Sequence, residues 1–291
     1  GTHFNRHVTW WDQSKPFVNY INRSQLMLTQ GVPAADVLYY YGSGVPQYIH
    51  LDSDVEDVPP GYEWDGCNSE VLLSRASVKE GRIHFPDGMS YPLLALADQE
   101  SISLPVLKKI EKMVQKGLTL LGKPPKRAHG LSDYPESDKE VKAIVERLWG
   151  AIDQKTVFKN TYGKGKVYSG LTIAQVLKRE GITPDFSYTA APDVDMEYFH
   201  RSAGDIEIYY VTNKRARHGI NDRKYRYLTD HPDRYIHATC SFRVDGERMV
   251  ERWNPVTGER TPVKVYKREN GRYKIPVSLP PEGSTFFVFK Q

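Results

Sequence analysis

Between Tyr91 and Gly122 the sequence carries a unit that few folds can accept. Tyr91 to Ala97 (YPLLALA) is an apolar run of strand length. Pro105 to Lys116 then places Val106, Leu107, Ile110, Met113 and Val114 at the spacing of one helix face, and Gly117 ends it. Leu118 to Leu121 is apolar again and closes at Gly122. A buried strand, a helix and a second buried strand at this spacing predict a right-handed parallel crossover, and with it an α/β sheet.

The flanking sequence extends that reading. Lys15 to Gln30 predicts a helix with Phe17, Tyr20, Ile21, Ser24 and Leu28 on one face, Pro16 in its first turn and Gly31 at its end. Ala35 to Tyr41 (ADVLYYY) predicts a buried strand, closed by Gly42-Ser43-Gly44. Asn68 or Ser69 caps a helix through Val71, Leu72 and Leu73, and Val78 to Met89 reads as a hairpin-like pair. Lys123 to Ser137 reads as a loop, Asp138 to Trp149 as a helix, Lys166 to Ser169 as a strand, and Thr172 to Glu180 as a helix ended by Gly181. Residues 31–185 therefore predict an open α/β domain, with ligand sites expected at the strand C-terminal ends.

From Pro184 the pattern changes. Glu197 to His200, Ile206 to Thr212, Ala238 to Val244, Val250 to Trp253, Val263 to Lys267, Tyr273 to Leu279 and Thr285 to Phe289 read as short strands. Turn signals such as Asp245-Gly246, Asn270-Gly271 and Glu282-Gly283 separate several of them. Residues 186–291 predict a β-sandwich, with the boundary between Pro184 and Pro192.

Charge and motif content narrow the function. The chain has 40 basic against 36 acidic residues, and the two signs are interleaved, which argues against a nucleic-acid partner. No apolar run approaches the ~18 residues of a membrane-spanning helix. Cys67 and Cys240 lack metal-ligand spacing and read as two buried or free thiols, with a distant disulfide as the alternative. There is no GxSxG elbow, HExxH, Walker loop or CxxC. The GSG turn at Gly42 lacks the helix a phosphate fingerprint needs, and Asp52 to Asp57 (DSDVED) lacks the glycine and terminal glutamate of a calcium loop. His129, His200, His218, His231 and His237 share no spacing.

Aromatic residues are the outlier: 19 Tyr and 5 Trp, the type of side chain that stacks on planar ligands and sugars. The densest grouping opens the chain, where GTHFNRHVTWW sets His3, Asn5, Arg6, Trp10 and Trp11 within eleven residues. Their flat faces and directional polar groups are those of a ligand wall. Trp253, just before the NPVTGE turn, reads as a core tryptophan or a sugar platform. Glycosidic cleavage needs two facing carboxyls. Asp12, Glu63 and Asp65 are the acids near aromatic clusters; Glu63 and Asp65, at i and i+2, read either as sharing a strand face or as an exposed loop.

The order of these pieces resembles a known family. GTHFNR followed by VTWW, the helix after Phe17, ADVLYYYG, GYEWDGCN with VLLSR, DGMSY, GLTLLG, WNPVTGE and the strand after PPEGS are similar to glycoside hydrolase family 106, the α-L-rhamnosidases. The resemblance implies that residues 1–30 close a catalytic barrel region. A flavodoxin-like or glutamine-amidotransferase-like α/β domain and a β-rich module would follow. It implies inverting chemistry on an α-linked rhamnoside, run by barrel glutamates with calcium assistance, and a barrel that lies almost wholly before Gly1. It assigns His3, Asn5, Arg6, Trp10 and Trp11 to the sugar pocket and supplies no catalytic residue, metal ligand or cofactor in this chain.

The expectation is a glycosidase portion that is inactive alone, in a periplasmic or extracellular setting, with a rhamnose-containing glycan as partner. The α/β domain resembles ones that make homo-oligomer contacts in other glycosidases. The competing reading is a carbohydrate-binding or scaffold module without chemistry.

Overall fold

The computed structural model describes residues 4–44, 58–192, 194–213 and 235–291. The chain divides into two compact units: Ala34–Pro184, and Gly1–Pro33 together with Asp185–Gln291. The expected pieces 1–30 and 186–291 thus belong to one unit, interrupted by the other. The acidic cluster Asp52 to Asp57 and His218 and His231 lie outside the described residues.

Unit Ala34–Pro184 is built on a six-stranded sheet. Its strands lie in the order Lys159–Tyr162, Gly165–Tyr168, Thr119–Leu121, Leu93–Leu96, Val37–Tyr40, Trp64–Cys67. The last five run parallel, and counted along the chain their order is 2-1-3-4-5. Strand alternation sorts the apolar residues onto two faces. Leu38, Tyr40, Leu94, Leu120 and Val167 enter one cluster with Leu72, Val106, Leu107, Ile110, Ile144 and Leu148 from three helices: Ser69–Arg75, Leu104–Gln115 and Glu136–Trp149. Val37, Leu93, Ala95, Leu121 and Tyr168 face the other way, onto Ile173, Val176 and Leu177 of helix Ile173–Arg179. A sheet covered on both faces leaves no polar positions in its central strands, which is why they read as continuous apolar runs.

The local signals explain the boundaries. Asn68 accepts from the Val71 amide at 2.9 Å, and Thr172 and Gln175 form a reciprocal capping box. Helix Leu104–Gln115 buries all five residues of its predicted face, each contributing about 2 kcal/mol. Two pairings depart from expectation. Lys159–Tyr162 is an antiparallel edge strand, and Arg127–Ala128, expected in a loop, pairs in parallel with Ser101–Ile102.

The other unit holds two antiparallel sheets. One runs Val32–Pro33, Met196–Ala203, Ile206–Asn213, Ser284–Lys290, Met249–Trp253, Arg260–Pro262, and the other runs Phe186–Ala190, Ile236–Arg243, Arg272–Leu279, Lys267–Glu269. They share one core: Tyr209, Val211, Phe287 and Phe289 of the first meet Phe186, Cys240, Phe242, Tyr273 and Ile275 of the second. The first sheet's reverse face is covered too. Met27, from helix Lys15–Leu28, packs with Ile208, Phe286 and Val288, and the Tyr20 hydroxyl lies 2.7 Å from that of Tyr210.

Two strand expectations change here. Phe186–Ala190 is a strand inside the expected boundary segment, and the expected strand Val263 to Lys267 is instead two short edge strands, Arg260–Pro262 and Lys267–Glu269. Both edges are fully exposed, so no apolar alternation marks them in the sequence.

Candidate functional site

The opening stretch folds into consecutive turns. Asn5 turns its side-chain oxygen back to accept from the His7 amide at 2.9 Å, and Trp11–Gln13 forms a short 3-10 helix that runs into helix Lys15–Leu28. These turns gather the aromatic side chains. Phe4 sits at the centre, with ring centroids of Trp10, Trp11 and Phe17 at 5.3, 5.7 and 6.0 Å. Phe4 is 47% exposed, Trp10 43% and Phe17 52%, so the cluster presents open aromatic faces. Arg6 is exposed beside it, and His3 lies outside the described residues. Of the residues singled out in the sequence, Trp10 and Trp11 share this cluster, while Asn5 serves the turn.

Trp253 occupies a different setting. It is half-buried at the end of strand Met249–Trp253, and its indole N–H donates to Glu251 at 2.7 Å. The cross-strand partner Arg260 lays its guanidinium 3.9 Å from the ring centroid. A sugar stacking on that face would have to displace Arg260. Beside the indole is a cleft of about 120 Å³, lined also by Arg23, Met27, Asn254 and Phe286. Arg23 holds the turn at its mouth, donating to the Pro255 and Val256 carbonyls at 3.2 and 2.7 Å.

The buried acid Asp185 is committed to other groups. Asp185 and His200 are 2% and 6% exposed, and the His200 ring spans two carboxylates: Nδ1 lies 2.8 Å from Asp185 and Nε2 2.9 Å from Glu207. Tyr209 stacks on the imidazole with centroids 3.8 Å apart and donates to Asp185 at 2.9 Å. Burial alone depresses a histidine pKa, but the two carboxylates outweigh it and push His200 up to about 9. The same pairing holds Asp185 below the usual carboxylate range against its burial. Sequence spacing passed over this network. Its one legible signal is the hairpin register, which sets Ser202 opposite Glu207 and so places Glu207 diagonal to His200 on the same sheet face.

A general acid for glycoside cleavage needs a raised carboxyl pKa. Glu180 and Glu251 move the other way. Burial raises Glu180, but Lys166 and Tyr168, each donating at 2.6 Å, more than offset it; Lys290, at 2.6 Å, and Trp253 lower Glu251. Asp65 accepts from Tyr91 at 2.7 Å. Among the described residues no group of three or more His, Cys, Asp or Glu stands ready to hold a metal, and Asp185 and Glu207 are taken by His200. The described residues therefore do not fit a calcium site. At the strand ends, the space a Cβ at Gly42 would need is filled by the Gln99 side chain, 2.1 Å away.

Comparison with known proteins places this arrangement. A protein of Formosa agariphila, provisionally named a beta-glucuronidase, is 32% identical over all of this chain, which covers 22% of that protein. The structure of a rhamnosidase from Novosphingobium sp. PP1Y matches with a TM-score of 0.83 and 29% identity, covering 100% of this chain and 26% of that one. A GH42 beta-galactosidase from G. stearothermophilus shares the fold at a TM-score of 0.50 and 9% identity, over 99% of this chain and 45% of that one. The chain thus spans about a quarter or less of the length of the first two relatives. The family pattern described as alpha-L-rhamnosidase runs through residues 1–268, and the chain belongs to that family, glycoside hydrolase family 106.

Proposed function

We propose that this chain is the C-terminal portion of a glycoside hydrolase that cleaves α-L-rhamnosides of polysaccharides outside the cytoplasm, and that it is inactive alone. The observation that carries the reading is the family match through residues 1–268, combined with coverage of only 26% of the rhamnosidase chain. The carboxylates support it from the other side, since Glu180, Asp185 and Glu251 are all held ionised by partners and none is tuned as a general acid. In this reading Trp10 and Trp11, with His3, Asn5 and Arg6, form one wall of the sugar pocket, and a barrel completes it. The sheet order 2-1-3-4-5 supports reading Ala34–Pro184 as a flavodoxin-like or glutamine-amidotransferase-like domain, and the shared core of the two antiparallel sheets supports a β-sandwich.

Hydrolysis of an aryl α-L-rhamnoside tests the proposal. A longer protein that carries a barrel ahead of this chain is expected to release the aglycone, and the 291-residue chain is expected to release none. Trp10→Ala in the longer protein is expected to raise KM. A longer protein inert on every rhamnoside tried overturns the activity, and turnover by this chain alone overturns the division of labour.

A further inference from the structure

The cleft beside Trp253 carries net positive charge, which Glu251 offsets only in part because it is shared between Lys290 and Arg260. Arg23 and Arg260 both line it, and among the described residues neither has a carboxylate within ion-pair distance. Arg23 is half-buried, and its Nη1 is used by the Pro255 and Val256 carbonyls. That leaves Nε and Nη2 with no protein acceptor among the described residues. Lys290 stands 5.2 Å from the same indole and is paired with Glu251, so the cleft stays net positive. A guanidinium left half-buried without an anion is costly, as Arg23 is, and with the exposed Arg260 beside it the cleft is disposed to take one.

The shape of the cleft limits the anion. The cleft, about 120 Å³, has room for a charged head group between the two guanidinium groups. Arg260 stands over the Trp253 ring at 3.9 Å, which restricts where its donors lie, and a planar guanidinium pairs best with a planar carboxylate. The rim is apolar, with Leu26 63% and Val256 62% exposed, and would accept the C–H face of a ring whose substituent points inward. Gly258 keeps the approach open: its φ of +82° permits the turn, and a Cβ there would lie 3.0 Å from Arg23 Nε.

We propose that this cleft binds the carboxylate of a uronic acid residue in a glycan, a site separate from the cluster around Phe4. The inference rests on the reading of the parent protein as a carbohydrate enzyme. It gives the chain a second role, in which Arg23 and Arg260 hold an acidic stretch of the polysaccharide by ionic contacts.

Calorimetric titration of the 291-residue chain with a uronate-containing disaccharide tests it, beside the same disaccharide reduced at its carboxyl and a sulfated neutral disaccharide. Saturable binding of the acidic sugar is expected, with a change in Trp253 fluorescence that is lost in Trp253→Phe. Arg260→Ala is expected to weaken binding about tenfold, the worth of one charge-assisted hydrogen-bond pair. Arg260 is exposed, and an unchanged melting curve confirms that this variant folds. Arg23→Lys, which keeps the charge but loses the fork, is expected to weaken binding in the same direction. Equal binding of the reduced sugar, no effect of either arginine variant, or tighter binding of the sulfated sugar each overturns the proposal. Because the readout is binding to this chain, it stands or falls apart from rhamnosidase activity in a longer protein.

Discussion

His200 and Asp185 form an ion pair inside the two-sheet unit, with Nδ1 and Oδ2 2.8 Å apart and both side chains less than a tenth exposed. The imidazolium is the favoured form there. Its pKa rises from 6.5 in the unfolded chain to about 9, so its contribution to stability is complete below pH 6.5 and is lost as the pH rises through 9. Stability of this unit is expected to fall by about 3 kcal/mol across that range. Urea unfolding followed by hydrogen exchange in strand Met196–Ala203 checks this. A flat profile from about pH 6 to 9.5, or a slope that survives in His200→Gln, would show that the pair does not titrate as described.

Breaking the pair from the other side is expected to cost more than an exposed ion pair does. Asp185→Ala leaves His200 charged against Glu207 alone, removes one of the two acceptors of the Tyr209 hydroxyl and takes away the carboxylate beside Arg243. A loss of about 3–5 kcal/mol is expected. Exposed pairs such as Lys108–Glu140 are worth well under about 1 kcal/mol. Paired denaturation curves for Asp185→Ala and Glu140→Ala make the comparison, and similar losses in the two would contradict it.

Gly31 joins the opening helix to its strand at a point with no room for a side chain. Its φ is +55°, and a Cβ would fall 2.0 Å from the Ser202 carbonyl oxygen, which is backbone and cannot swing aside. Gly31→Ala is expected to cost about 2–4 kcal/mol and to loosen the pairing of Val32 with Ser202. Amide exchange at Ser202 reads that pairing directly, and unchanged protection there would count against the account.

Both cysteines are expected to be silent while the protein is folded. Burial pushes the Cys67 and Cys240 thiols up to about 12, and neither forms a disulfide. Thiolate is the reactive form, so labelling with an aromatic disulfide reagent near neutral pH should proceed only through opening. Rates that rise with urea in step with unfolding are expected. Prompt native-state labelling of either thiol would contradict the burial.

What could be read from the sequence followed coverage. The runs at Val37–Tyr40, Leu93–Leu96 and Thr119–Leu121 are covered on both faces and stand out as apolar segments. Helix Leu104–Gln115 falls within one residue of its expected bounds, because its apolar face is regular and Pro105 and Gly117 punctuate it. Arg260–Pro262 and Lys267–Glu269 have no face to bury and carry no pattern, and Lys159–Tyr162 turns only Asn160 and Tyr162 partly inward. The sites divide in the same way. The aromatic cluster at Phe4 comes from residues close in sequence, so composition alone exposed it. The pairings of Arg23 with the turn at Pro255, and of Asp185 with His200, depend on how helix and strands meet, which local spacing does not encode.

The pairing of Val32 with Ser202 spans a segment that includes the whole of Ala34–Pro184. To an unfolded chain that is a closure over more than a hundred and fifty links, and each doubling of such a loop costs about 0.6 kcal/mol. Once Ala34–Pro184 has collapsed around its own parallel sheet, Pro33 and Asp185 are tied to the ends of a compact body rather than to a long coil. The order of events on refolding is thereby biased: the interrupting unit has a core of its own and sets first, and the interrupted one is stitched afterwards.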